Sequence, residues 1–154
     1  VVGFAEATDS GELCFVTSTA NLLVIPASSV RPQGLAAGGM QGIAAGDSSV
    51  IAFGPISEDA HLITGANDSQ ALGATDPGSL KITPLSAYPR KGRATQGVRC
   101  HRFLKGEDQL YFAGWAGTSP TIIDSEGVQI ATPEVDQRRD SSGTDISQYV
   151  AAAY

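Results

Sequence analysis

The whole chain carries ten lysines and arginines, and seven of them fall in one window: Lys81, Arg90, Lys91, Arg93, Arg99, Arg102 and Lys105. No aspartate or glutamate interrupts that window. The formal net charge of the chain is −6, so an acidic protein carries a local basic stripe. Cations at this density attract phosphate, through contacts that are salt-sensitive and indifferent to base sequence. Arginine outnumbers lysine in the window, and its planar fork suits phosphate better than a point charge does. A second reading also fits the charge: the stripe is a solvated face, or pairs with acidic neighbours such as Glu107, Asp108, Asp124 and Glu126.

Other constellations carry less chemistry. His61 and His101 are the only histidines, and neither has a partner at zinc-ligand spacing. Neither lies in a recognisable Ser-His-acid motif. Gly38-Gly39-Met40-Gln41-Gly42 is glycine-rich but no Lys-Ser or Lys-Thr follows, so it is not a phosphate-binding loop. Cys14 and Cys100 are distant in sequence and read as two reduced core thiols. Trp115 and the Tyr111/Phe112 pair read as core packing. No catalytic set, metal site or cofactor site emerges.

Something must hold the basic stripe in place, and the surrounding pattern is that of short strands. Apolar or alternating runs recur at Val1–Ala5, Leu13–Ser18, Leu22–Ile25, Val50–Phe53, Leu62–Thr64, Leu80–Thr83, Val98–Phe103, Leu110–Ala113, Thr121–Ile123 and Val128–Ala131. Gly, Pro, Asp, Asn or Ser bounds each, which predicts an all-β protein. Turns are expected at Thr19–Asn21, Asp76–Ser79 and Asp124–Gly127. The one weak helix candidate is Gln148–Ala153. If Val98–Phe103 is a strand, Val98 and Cys100 face one side while Arg99 and His101 face the other. No apolar run approaches the ~20 residues a membrane-spanning helix needs. The start lacks both a signal-peptide pattern and a methionine, and is read as a cut from something longer.

The strands repeat. Leu22–Gly39 aligns with Leu80–Gly97 at an offset of 58, with six identities in eighteen positions. These are Leu22/Leu80, Pro26/Pro84, Ser28/Ser86, Gly34/Gly92, Ala36/Ala94 and Gly39/Gly97. A repeated four-stranded unit of this size points to a propeller-like architecture. Approximate units are 13–58, 62–117 and 120–145, the third truncated.

Gly92-Arg93-Ala94-Thr95-Gln96-Gly97-Val98-Arg99 carries a family resemblance, together with Leu80-Lys81-Ile82-Thr83-Pro84 before it and Leu104-Lys105-Gly106-Glu107-Asp108 after it. The segment resembles one blade of the C-terminal domain of the DNA gyrase A subunit and its topoisomerase IV relatives. Leu23–Gly42 resembles a neighbouring blade. The resemblance implies a β-pinwheel, a propeller-like disc whose blades exchange strands, of which about three four-stranded blades, half of a six-bladed disc, lie here. It further implies a DNA-binding or DNA-bending accessory domain of a type IIA topoisomerase, with Arg90, Lys91, Arg93, Arg99, Arg102, Lys105 and Arg31 on double-stranded DNA. The implied partners are the catalytic core of the A subunit and the ATPase B subunit, and the implied location is the bacterial cytoplasm, on the nucleoid. No tyrosine here matches the segment that bears the DNA-cleaving tyrosine. Leu35 stands where the second copy has Arg93, so the first blade is expected to contact DNA poorly. Gln137-Arg138-Arg139-Asp140-Ser141-Ser142-Gly143 matches the family's Gln-Arg-Arg-Gly-Gly-Lys-Gly box at four positions and reads as coincidence or a decayed loop. Two half discs pairing by their exposed edges into a homodimer is a further expectation, and the alternative to DNA binding is a protein-interaction or structural module.

Overall fold

A computed structural model describes residues 1–71 and 76–154. Among the described residues ten strands form, in chain order: β1 (Glu12–Thr17), β2 (Asn21–Pro26), β3 (Val50–Ile56), β4 (His61–Asn67), β5 (Ser79–Pro84), β6 (Val98–Arg99), β7 (Gln109–Ala116), β8 (Ile122–Ile123), β9 (Thr144–Asp145) and β10 (Ala152–Ala153). The only helical pieces among the described residues are two single 3-10 turns, Ala27–Ser29 and Leu85–Ala87, each directly after a strand-ending proline. A proline there withholds the N–H a further ladder bond would need.

The strands make two four-stranded antiparallel sheets, ordered β3-β1-β2-β6 and β7-β4-β5-β9, and a two-stranded sheet, β10-β8. In each four-stranded sheet a hairpin (β1-β2 or β4-β5) lies at the centre. β3 flanks the first hairpin on its β1 side and β7 the second on its β4 side. The fourth strand comes from further along the chain. β6 pairs Asn21 with Arg99 and Leu22 with Val98, and β9 pairs Ser79 with Asp145 and Leu80 with Thr144. The acceptor positions Asn21/Ser79 and Leu22/Leu80 are again 58 residues apart. The sequence repeat is thus a repeat of strand exchange.

Alternation along the central strands explains the layers. Cys14, Val16, Leu22 and Val24 point to one side and pack with Leu62, Leu85, Tyr88, Cys100 and Leu110. Leu13, Leu23 and Ile25 point to the other and pack with Ala27, Ile43 and partly buried Phe15 and Phe53. On the second sheet Ile63, Leu80 and Ile82 face Ile122, Ile130 and Val150. Both faces of each hairpin are buried, which is why β2 reads as the continuous apolar run Leu-Leu-Val-Ile. Each such side chain removed from water contributes about 1.5–3 kcal/mol.

Four expectations need correction. Val1–Ala5 pairs with nothing and stays exposed, Phe4 included. Val98–Phe103 is a strand only at Val98–Arg99, because Cys100 and His101 are both buried and period-two alternation ends there. Val128–Ala131 makes a single bridge, Ile123 with Gln129. The C-terminal helix candidate is instead strand β10, with Ala152 opposite Ile123 and Ala153 opposite Ile122.

Candidate nucleic-acid interface

The basic stripe is stitched onto the first sheet by its backbone. The Lys91 N–H donates to the Val24 carbonyl at 3.2 Å, the Ala44 N–H to the Thr95 carbonyl at 2.9 Å, and the Cys100 N–H to the Ala20 carbonyl at 2.8 Å. With β6 between them, these bonds leave Lys91, Gln96 and Arg99 exposed, while Val98 packs against the core. Gly97 makes the approach possible. Its φ is +74°, and a Cβ built on it would stand 2.1 Å from the Leu22 carbonyl oxygen.

The seven cations of the window do not share one fate. Lys81 is only 3% exposed. Its ammonium donates to Thr83 Oγ1 at 2.7 Å, Tyr88 OH at 3.3 Å, and the carbonyls of Cys100 and Arg139, each at 3.1 Å. Burial pulls its pKa down to about 8, against the pull of nearby acidic groups. Lys81 therefore leaves the stripe and works as a core staple between the second sheet and the segment after it.

Arg90 is also committed. Its Nε and Nη2 donate to the two Glu12 carboxylate oxygens at 2.7 and 2.8 Å, and its Nη1 to the Leu85 and Tyr88 carbonyls, each at 2.9 Å. A bidentate pair of this kind cancels the charge locally. Arg93 donates from Nη1 to the Gln41 carbonyl at 2.8 Å and so ties the glycine-rich loop of the first unit. It retains its full charge, since a carbonyl does not neutralise it. Lys91 and Lys105 are exposed, and neither pairs with an acid among the described residues. Arg31 is exposed on the loop after Ala27–Ser29. Arg99 and Arg102, 60% and 58% exposed, both lean toward Asp140, at 3.9 and 3.4 Å.

The same stitching recurs one unit on, in the segment that reads in sequence as coincidence or a decayed loop. The Asp136 N–H donates to the Ile82 carbonyl at 2.8 Å and the Ile146 N–H to the Gly78 carbonyl at 3.0 Å. Those acceptors lie 58 residues after Val24 and Ala20. Gly143 therefore stands where Gly97 does, and a Cβ on it would meet Ser79 Oγ at 2.9 Å. Counting back from that glycine, Arg139 occupies the position of Arg93. Asp136–Gly143 is thus the counterpart of Lys91–Gly97 with one residue more, and the two align from the glycine end. The missed signal was the spacing: Gly97 and Gly143 are 46 residues apart, not 58. Arg138 is held by Asp136 at 3.1 Å, whereas Arg139 is exposed.

His101, assigned to the basic face by alternation, is instead 1% exposed. Thr64 Oγ1 lies 2.9 Å from its Nδ1, and Ser79 Oγ lies 3.3 Å from its Nε2 and 2.7 Å from Glu107 Oε2. If Ser79 donates to the carboxylate, Nε2 must carry the proton and Thr64 must donate to Nδ1. That polarity is the reverse of a nucleophile activated by a histidine base, and Ser79 is fully buried. The cluster is structural. Burial, and secondarily the Lys81 charge, hold the His101 pKa down to about 4. The unfolded chain takes up this proton near pH 6.5 and the folded chain does not. Stability attached to His101 is therefore complete above pH 6.5 and is lost as pH falls toward 4, a difference of about 3 kcal/mol. Urea denaturation between pH 7 and 4 should show that fall, and His101→Gln should flatten it.

The thiols of Cys14 and Cys100 are free and buried, and desolvation raises both pKa values, that of Cys100 to about 12. Folding stability held by the neutral thiols is present below pH 9 and declines as pH rises above it, where the unfolded thiols ionise. Thermal unfolding from pH 8 to 10.5 should record the decline, and Cys14→Ala with Cys100→Ala should reduce it. No cluster of three or more metal-ligating side chains occurs among the described residues. Among the described residues no helix is long and apolar enough to cross a membrane.

A disc segment of strand-exchanging blades, with a cationic, glycine-gated edge, defines the class of domain. The sequence profile of the DNA gyrase C-terminal domain, beta-propeller, matches residues 11–66 and 72–110. The chain belongs to that family. It is 35% identical over 108 residues to the topoisomerase subunit TopoM of Mycolicibacterium smegmatis, an alignment covering 69% of this chain and 14% of that protein. Among solved structures, the C-terminal domain of DNA topoisomerase IV superposes with a TM-score of 0.73 at 20% identity, covering 95% of this chain and 46% of that one. The E. coli ParC C-terminal domain gives 0.69 at 17%, covering 96% and 61%. A DNA gyrase A C-terminal domain gives 0.64 at 14%, covering 97% and 50%. The chain thus spans about half of two of these solved domains, and the likeness to all three establishes the β-pinwheel fold.

Proposed function

We propose that this chain is a non-catalytic accessory domain of a type IIA DNA topoisomerase, of the gyrase or topoisomerase IV A-subunit kind, and that it binds and bends duplex DNA. The observation that carries this is the stitched segment: Lys91, Arg93, Arg99 and Arg102 stand along one strand-exchange edge, with Lys105 just beyond. Arg139 supplies the matching position one unit later. A row of cations on a rigid edge suits the regular phosphates of a duplex, and bending is offset by each added contact. In this reading the units are 13–58, 62–117 and 120–145. The catalytic tyrosine, the A-subunit core and the ATPase B subunit belong to the rest of the enzyme, in the bacterial cytoplasm on the nucleoid.

Arg90 leaves the proposed contact set because Glu12 neutralises it, while Arg31, exposed after Ala27–Ser29, stays in it. A protein-interaction module is the second reading. It is favoured by one observation, that Arg90 donates to the Glu12 carboxylate and Arg99 and Arg102 lie beside that of Asp140. Fluorescence anisotropy with a ~30-bp duplex at low salt separates the two. Binding that disappears as salt rises supports DNA contact. Absence of binding at the lowest salt, from a protein that unfolds cooperatively, rejects it in favour of the module.

A further inference from the structure

Asp140 stands at the middle of the cationic edge, the place where its charge does most harm to DNA binding. Its two carboxylate oxygens face Arg99 Nη1 at 3.9 Å and Arg102 Nη2 at 3.4 Å. Two guanidinium groups converging on one small anion is the geometry of a phosphate site. Here the anion belongs to the chain.

The carboxylate is not there by accident of a loose loop. The backbone on both sides of it is fixed. The Arg139 carbonyl accepts from buried Lys81 Nζ at 3.1 Å, and the Ser141 carbonyl accepts from the Arg102 N–H at 2.9 Å. Ser141 is itself buried, and its hydroxyl reaches Asp136 Oδ2 at 2.6 Å and the Arg138 carbonyl at 3.0 Å. Residues 139–141 are therefore anchored, and Asp140 projects from a fixed base toward the two arginines.

We propose that Arg99 and Arg102 form a phosphate-binding site that Asp140 occupies in the free protein, so that DNA must displace this carboxylate to use it. This rests on the DNA-binding reading above. Asp140 is 41% exposed and its distances are long for an ion pair. Exposed pairs of this kind hold weakly, so a phosphate competes successfully. The consequence is a binding edge whose affinity is set low by one residue. With Asp140 beside them the two arginines carry a net charge of +1 rather than +2, so the site neutralises less phosphate charge and releases fewer of the cations condensed on the duplex.

The test is duplex binding by fluorescence anisotropy for the unaltered chain, for Asp140→Asn, and for Arg99→Ala/Arg102→Ala with and without Asp140→Asn. Asparagine keeps the shape and removes the charge, and the thermal midpoint should not move. Asp140→Asn should tighten binding roughly fivefold at moderate salt, the scale of one unit charge at about 4 Å in water. It should also steepen the salt dependence by about one unit of slope. The gain should vanish when both arginines are absent. Equal or weaker binding by Asp140→Asn, with the unaltered chain still binding, overturns the inference and leaves the DNA reading intact. A gain that persists without the arginines overturns the site and leaves only a general charge effect. No binding by any of the four proteins at low salt overturns the DNA reading and this inference with it.

Discussion

Gly97→Ala should lower the unfolding free energy by about 2–5 kcal/mol, a large part of the 5–15 kcal/mol typical of a domain. Two effects add. The residue sits at φ +74°, where an L side chain costs roughly 1–2 kcal/mol. The new Cβ would also stand 2.1 Å from the Leu22 oxygen and 2.7 Å from its carbon. Both are backbone atoms at the centre of the first sheet, so neither can turn aside, and overpacking of this kind costs about 1–3 kcal/mol more. The cheapest relief is to lift β6 off β2, which undoes the strand exchange. Gly92→Ala is the matched control, because nothing lies within 4 Å of its Cβ position and its φ is ordinary. Urea midpoints compare the two. A Gly97→Ala midpoint equal to that of Gly92→Ala would mean that β6 is not seated as described.

Changing Lys91, Arg93 and Arg99 together to alanine should weaken duplex binding at least thirtyfold at moderate salt, by a similar factor for every sequence tested. Each lost phosphate contact removes about one unit of salt slope. Arg90→Ala should behave in the opposite manner. It strands the Glu12 carboxylate and two carbonyls, so it should cost about 1–3 kcal/mol of stability and leave the salt slope alone. The contrast matters because Arg90 and Arg93 are indistinguishable in the sequence, three residues apart on one basic run. Thermal melts and anisotropy on the two proteins separate the roles. Sequence-selective loss from the triple change would contradict phosphate contact.

What could be read in advance follows from what is local. Alternation and turn residues located the strands of the pairs β1-β2 and β4-β5, and β1-β2 closes on itself within three residues. The 58-residue offset located the repeat. Strand exchange was not legible in composition, since β6 is two residues long and its pairing with Asn21 and Leu22 is a contact at long range. The stripe was legible as charge but not as geometry. Lys81 falls on an inward position of β5, and only the cluster of Thr83, Tyr88, Cys100 and Arg139 acceptors around it explains a lysine there. Arg90 found Glu12 across 78 residues of sequence. Asp140 and Arg139 were set aside because their loop departs from the family pattern, yet the anchoring of that loop is set by backbone bonds that spelling does not reveal. Cys100 and His101 broke alternation because the chain leaves the sheet there and enters the core.

The central claim is that the stitched edge contacts DNA phosphates. The most direct measurement is the salt dependence of duplex affinity, by anisotropy, for the unaltered chain and for the Lys91/Arg93/Arg99 alanine variant. With about four phosphates neutralised, the affinity should fall roughly a hundredfold between 50 and 200 mM salt, and the variant should lose about 2.5–3 units of slope. A slope that is the same for both proteins would contradict the claim, because the bound phosphates would then lie elsewhere on the chain.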